Sequence, residues 1–169
     1  MKILIVVDMQ NDFIDGSLGT KEAQSIVPHV INKIKKYEDN NDLVIFTKDT
    51  HYYNYMDTME GKKLPVKHCI KGTHGHYIPD EILRNHKLII EKETFGSKDL
   101  IDYLLKLNFE EIELVGLCTD ICVISNALLL KTFFPEIKIS VDSSCCAGVT
   151  PISHNEALNT MKMCHIEVK

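Results

Sequence analysis

Ile3-Leu4-Ile5-Val6-Val7, closed by Asp8, is an unbroken apolar run. A half-buried strand alternates apolar with polar residues, whereas a strand covered on both faces leaves no polar position along its length. The run therefore reads as an interior strand of a parallel sheet. Four more runs of this kind follow: Leu43 to Phe46, Leu88 to Ile90, Ile112 to Val115 and Ile137 to Val141, with Cys164 to Val168 as a sixth, edge strand. Helical patterns lie between them, about Ala23 to Tyr37, Lys98 to Leu107, Ile121 to Phe133 and Ser153 to Met163. In the first of these, Ile26, Val30, Ile34 and Tyr37 form one apolar stripe. Pro135 closes the third, and Pro151 precedes the last. Such alternation predicts a three-layer, Rossmann-like α/β sandwich, a mostly parallel sheet of five or six strands with helices on both faces.

The length of 169 residues suits one domain spanning 1–169, and a hydrophobic content of 44% argues against disorder. Lys and Arg total 19 against 24 Asp and Glu, a formal charge of -5, and Arg84 is the only arginine. That balance excludes a nucleic-acid partner, for which basic surface dominates affinity. No apolar run approaches the ~20 residues that span a bilayer. The run before Asp8 is too short for the core of a signal peptide, so the expectation is a cytoplasmic protein. The six cysteines contain no Cys-x-x-Cys pair. In a reducing compartment they read as buried, catalytic or metal-bound thiols rather than a disulfide framework.

One stretch breaks the pattern. About 50–79 shows no clean period and holds four His, three Gly and two Pro. Long irregular segments inside compact folds are commonly functional, and this one directly follows a strand.

In open parallel sheets, ligands bind outside the carboxyl ends of the strands. The expected ends carry Asp8 after the first strand, Asp49 and His51 after the second, Lys92 after the third, and Gly116-Leu117-Cys118-Thr119-Asp120-Ile121-Cys122 after the fourth. Taken singly, Asp8 reads as a cap, Lys92 as a solvated lysine and Cys122 as a small buried hydrophobe. Together they make a coherent reaction centre. A free thiol is mostly protonated at neutral pH, so a nucleophilic cysteine needs help. Lys92 and the start of a helix would favour the thiolate. Asp8 would act as general base and acid, and backbone N–H groups around Cys118 and Cys122 would form an oxyanion hole. The chain has no Gly-x-Gly-x-x-Gly and no Walker sequence, and Leu128 stands where a cysteine phosphatase needs arginine.

Three segments, Asp8-Met9-Gln10-Asn11-Asp12-Phe13, Glu91-Lys92-Glu93-Thr94-Phe95-Gly96-Ser97 and Gly116-Leu117-Cys118-Thr119-Asp120-Ile121-Cys122-Val123, resemble the signatures of the isochorismatase-like cysteine hydrolases. Thr47-Lys48-Asp49-Thr50-His51 and Pro65-Val66-Lys67-His68-Cys69-Ile70-Lys71-Gly72-Thr73 resemble the nicotinamidase/pyrazinamidase branch. The resemblance implies catalytic Asp8, Lys92 and Cys122, and a cis peptide at Leu117-Cys118 in the oxyanion hole. It also implies an aromatic wall from Phe13 and one divalent metal on Asp49, His51 and His68. Glu60 is the favoured fourth ligand over Asp57. Zinc stands foremost, with iron or manganese as alternatives. His74 and His76 read as loop residues, and His29, His86, His154 and His165 show no partner pattern.

The implied reaction is deamidation of nicotinamide to nicotinate and ammonia through a thioester on Cys122, in a self-associating protein. Many members of the family place a tryptophan just before the last metal histidine, near Pro65 here, and this chain has none. Tyr52, Tyr53 or Tyr55 would have to cover the substrate ring instead. The alternatives are another small amide, such as a ureido or carbamoyl compound, and a non-catalytic thiol sensor on the same scaffold.

Overall fold

The computed structural model describes residues 1–169. Its sheet has six strands: β1 (Lys2–Val7), β2 (Leu43–Asp49), β3 (Ile89–Lys92), β4 (Glu111–Leu117), β5 (Lys138–Ala147) and β6 (Glu167–Val168). They lie in the order β3-β2-β1-β4-β5-β6, and every pairing is parallel. The helices are α1 (Asn11–Ile14), α2 (Lys21–Asp39), α3 (Met59–Lys63), α4 (Asp80–Leu83), α5 (Lys98–Leu104), α6 (Ile124–Phe133) and α7 (Pro151–Met163).

The opening apolar run has its explanation in two cores. Ile3, Ile5 and Val7 of β1 point to one face and join Leu100, Ile101 and Leu104 of α5, Ala127 and Leu130 of α6, and Leu158 and Met161 of α7. Leu4 and Val6 point the other way, against Ile26, Val30, Ile34 and Tyr37 of α2. Each position from Ile3 to Val7 is thus enclosed, at about 1.5–3 kcal/mol for a fully buried aliphatic side chain. Strand order reverses at β1, which neighbours both β2 and β4, so a crevice opens at the carboxyl ends of β1 and β4. Gly116, at φ +118, lets β4 close on β1 there, because a Cβ would strike the Val7 carbonyl.

Several boundaries differ from the sequence expectation. β2 continues through the polar Thr47-Lys48-Asp49, and Lys92 is the last residue of β3 rather than a residue beyond it. β5 does not stop at Val141. After a register shift opposite Leu114/Gly116, pairing with β4 resumes at Cys146 and Ala147, so Cys145 and Cys146 lie inside the strand. They belong to opposite cores, as packing residues should. The helix expected from Ile121 begins instead with a π turn, Thr119–Val123, before regular helix at Ile124. The irregular 50–79 stretch contains α3, two 3₁₀ turns (Tyr55–Asp57 and His74–His76) and a bridge between His51 and Ile70. No helix is long and apolar enough to cross a membrane.

Candidate active site

The crevice brings together groups that are far apart in sequence. Asp8, fully buried, follows β1 in a left-handed conformation at φ 47. Thr47 Oγ1 of β2 donates to its Oδ1 at 2.7 Å. Lys92 Nζ approaches Asp8 Oδ2 at 2.7 Å, Cys122 Sγ at 3.4 Å and Asp49 Oδ1 at 3.4 Å. The ammonium therefore stands between the thiol, the carboxylate and the acidic end of β2. Burial opposes its charge, but Asp8, Cys122 and Asp49 outweigh that cost and hold it above the ordinary lysine range. Burial raises the Asp8 carboxyl and Lys92 opposes the rise, with a net upward shift.

Cys122 feels opposing influences. Burial, then the Asp8 carboxylate, push its thiol well above the usual range, and the neighbouring Lys92 only partly opposes them. Lys92 is the one neighbour that favours the thiolate, while burial and the two carboxylates of Asp8 and Asp49 favour the thiol. The π turn that carries Cys122 is tied down at its start. Thr119 Oγ1 pairs with His154 Nδ1 at 2.8 Å, and Asp120 accepts from Val149 N at 3.1 Å. The Leu117-Cys118 peptide is cis.

Beside this group lies a cluster of ligand-type atoms. Those of Asp49, His51 and His68 fall within 4.8 Å of one another, and all three residues are buried. His51 Nε2 is 2.9 Å from Asp49 Oδ2, yet it is a buried atom with no hydrogen-bond partner, so the two aim at a common point rather than at each other. His68 Nδ1 lies 2.8 Å from the Val66 carbonyl. Donation there fixes the tautomer that leaves Nε2 free to ligate. Glu60 Oε1 reaches 3.6 Å from His51 Nε2 and 3.7 Å from His68 Nε2, whereas Asp57 is exposed. Two imidazoles with one or two carboxylates form a donor set that suits a divalent ion such as zinc, iron or manganese. The orphaned His51 nitrogen is the observation that fits one here.

Tyr55 backs this cluster. Its ring lies 4.7 Å from that of His51 and 5.1 Å from that of His68, and its hydroxyl donates to the Leu64 carbonyl. It is buried and supports the histidines. Tyr53 is 81% exposed and does not line the cavity, while Tyr52 and Leu64 do. The place expected for the missing tryptophan is therefore bordered by Leu64 rather than Pro65. Phe13 stands 5.5 Å from the His68 ring. Together with Cys118, Cys122 and the Asp49, His51, His68 cluster it lines a cavity of about 820 Å³. Of the trio, Cys122 lines this cavity, with Lys92 Nζ 3.4 Å from its sulfur and 2.7 Å from Asp8 Oδ2.

Sequence reasoning gave no role to the three residues after Met9, and the structure supplies one. Gln10, fully buried, bonds the Asp49 N–H at 2.7 Å and carbonyl at 2.8 Å, and also the His76 carbonyl at 2.9 Å. Asn11 Nδ2 donates to the His74 carbonyl, and Asp12 Oδ2 accepts from Cys69 N, next to His68. Three successive polar side chains thus fasten the end of β2 and the loop that carries His68 to the segment after the first strand. A polar triplet directly after an apolar strand was the available signal. Three of the histidines without an expected partner have one: His29 bonds the Ser144 carbonyl, His86 pairs with Glu38 and His154 with Thr119. His74 and His76 stay outside the ligand cluster, and His76 is bonded to Thr50 Oγ1.

Comparison with known proteins places this geometry. The isochorismatase domain model matches residues 2–168. The isochorismatase family protein PncA of Bacillus subtilis is 31% identical over 172 residues, covering 94% of this chain and 92% of the relative. Among solved structures, the pyrazinamidase/nicotinamidase of Streptococcus mutans superposes with a TM-score of 0.88 at 28% identity, over 100% of both chains. The pyrazinamidase of Pyrococcus horikoshii in complex with zinc gives 0.85 at 27% identity, covering 99% of this chain and 98% of that one.

Proposed function

The chain belongs to the isochorismatase family, and from that premise we propose that it is a cysteine amidohydrolase that converts nicotinamide to nicotinate and ammonia. The observation that carries the reading is the convergence of Asp8, Lys92 and Cys122 within 3.4 Å of the Lys92 nitrogen, beside a buried Asp49, His51, His68 cluster.

Cys122 Sγ attacks the amide carbon as Asp8 takes the thiol proton. The carbonyl oxygen becomes an oxyanion held by the backbone N–H groups of Cys118 and Cys122. Asp8 then returns its proton to the amide nitrogen, the C–N bond breaks, ammonia leaves and a thioester remains on Cys122. Water attacks that thioester while Asp8 takes its proton. The C–S bond breaks, and Asp8 gives the proton to the departing sulfur. Lys92 keeps one cation among these buried groups and steadies the negative charge as it moves between carboxylate and sulfur. Phe13 offers an aromatic face to the substrate ring.

When bound, a divalent ion on Asp49, His51, His68 and Glu60, with zinc the proposed identity, supplies a Lewis-acidic anchor for the pyridine nitrogen. The test is ammonia release from nicotinamide by the purified protein, with nicotinate identified as the co-product. Turnover of carbamoyl compounds without turnover of nicotinamide overturns the substrate assignment.

A further inference from the structure

We infer that the site accepts carboxamides built on scaffolds larger than one aromatic ring, an inference that rests on the amidohydrolase reading and names its substrate class. The floor of the cavity is buried and reactive, formed by Phe13, Cys122 and the Asp49, His51, His68 cluster. Its mouth is different. Tyr52, Met59, Leu64, Phe95 and Val149 line the same cavity, yet they are exposed, from 37% for Leu64 to 71% for Met59. Single exposed apolar residues are ordinary on protein surfaces, but five around one opening mark a surface that a ligand covers.

Volume leads to the same place. Cavities of about 300–1,000 Å³ enclose drug-sized ligands, and this one holds about 820 Å³. A single ring with its carboxamide, seated against Phe13 within reach of Cys122, leaves the outer wall uncovered. No tryptophan closes the space. The charged groups of the wall outside the ligand cluster, Lys63 and Glu93, are of opposite sign, so the outer part favours a neutral apolar extension.

The experiment compares kcat/KM for 5-phenylnicotinamide and nicotinamide on the metal-loaded protein. The biaryl amide is expected to be the better substrate by about tenfold, from the extra apolar area it buries. Doubly truncating the mouth with Met59→Ala and Phe95→Ala, positions 71% and 46% exposed, is expected to lower the biaryl-to-nicotinamide ratio about fivefold. Nicotinamide turnover with the biaryl amide no better than nicotinamide overturns the inference and leaves the amidohydrolase reading standing. So does a ratio that the double truncation leaves unchanged. A second copy of the chain covering the mouth would produce the first of these results. Turnover of neither amide overturns both readings.

Discussion

Gln10 and Asp49, 39 residues apart, are joined by two hydrogen bonds, with Gln10 Oε1 accepting from the Asp49 N–H and its Nε2 donating to the Asp49 carbonyl. The carboxylate that ends β2 therefore stands where the side chain following β1 holds it. Replacing Gln10 with Ala is expected to weaken zinc affinity about tenfold, the scale on which groups that orient metal ligands act. Competition with a chromophoric chelator measures it. Unchanged affinity would show that β2 alone fixes Asp49.

Lys92 and Asp8 form a buried ion pair, with the lysine side chain 2% exposed and the aspartate 0%. Removing one partner strands the other charge. Lys92→Met is expected to destabilise the fold by about 3 kcal/mol and to lower kcat by at least about a hundredfold. Adding Asp8→Asn is expected to restore much of the stability and none of the activity. Urea unfolding of the two variants separates electrostatic strain from chemistry.

The state of Cys122 gives a prediction of definite sign. Its raised pKa means that the thiolate is scarce at neutral pH and grows as pH rises. Alkylation by iodoacetamide is expected to be slow at pH 7 and to accelerate steadily into the alkaline range. Asp8→Asn removes a charge that raises the thiol, so this variant is expected to alkylate faster at pH 7 while losing amide turnover. A slower reaction in Asp8→Asn would mean that Asp8 already holds the proton in the resting site.

Away from the site, Glu113 of β4 is buried, its carboxylate accepting from Tyr37 and Lys33 of α2 and from Lys169. Burial alone would raise its carboxyl, but Lys169, Lys33 and Tyr37 outweigh it and hold the group below the ordinary glutamate range. A depressed folded value stabilises the protein above the unfolded pKa of about 4.3 and loses that contribution as pH falls through the folded value. The melting temperature is expected to drop below about pH 4, and to drop less steeply in Glu113→Gln.

The strands were legible because Ile3 to Val7 has no polar position, a pattern that only enclosure on both faces explains. The polar ends of β2 and β5 were not. Thr47-Lys48-Asp49 and Asp142-Ser143-Ser144 continue strands through residues that serve the site or the sheet edge, and local composition there reads as loop. Helices α1 and α4 are single turns, too short to show a period. Asp8, Lys92, Cys122, Asp49 and His51 could be placed on one rim because each falls at a strand end or just beyond one, whereas His68 came from the resemblance to the nicotinamidase/pyrazinamidase branch. The roles of Gln10, Asn11 and Asp12 were hidden because their partners are backbone groups many residues away. The protonation of Cys122 depends on burial, which no spacing encodes.

Ammonia release from nicotinamide by the Cys122→Ala variant, on protein shown to fold and to bind zinc as the parent does, addresses the covalent route most directly. Loss of kcat by at least about 10⁴-fold is the predicted result. Turnover that survives the substitution would contradict it.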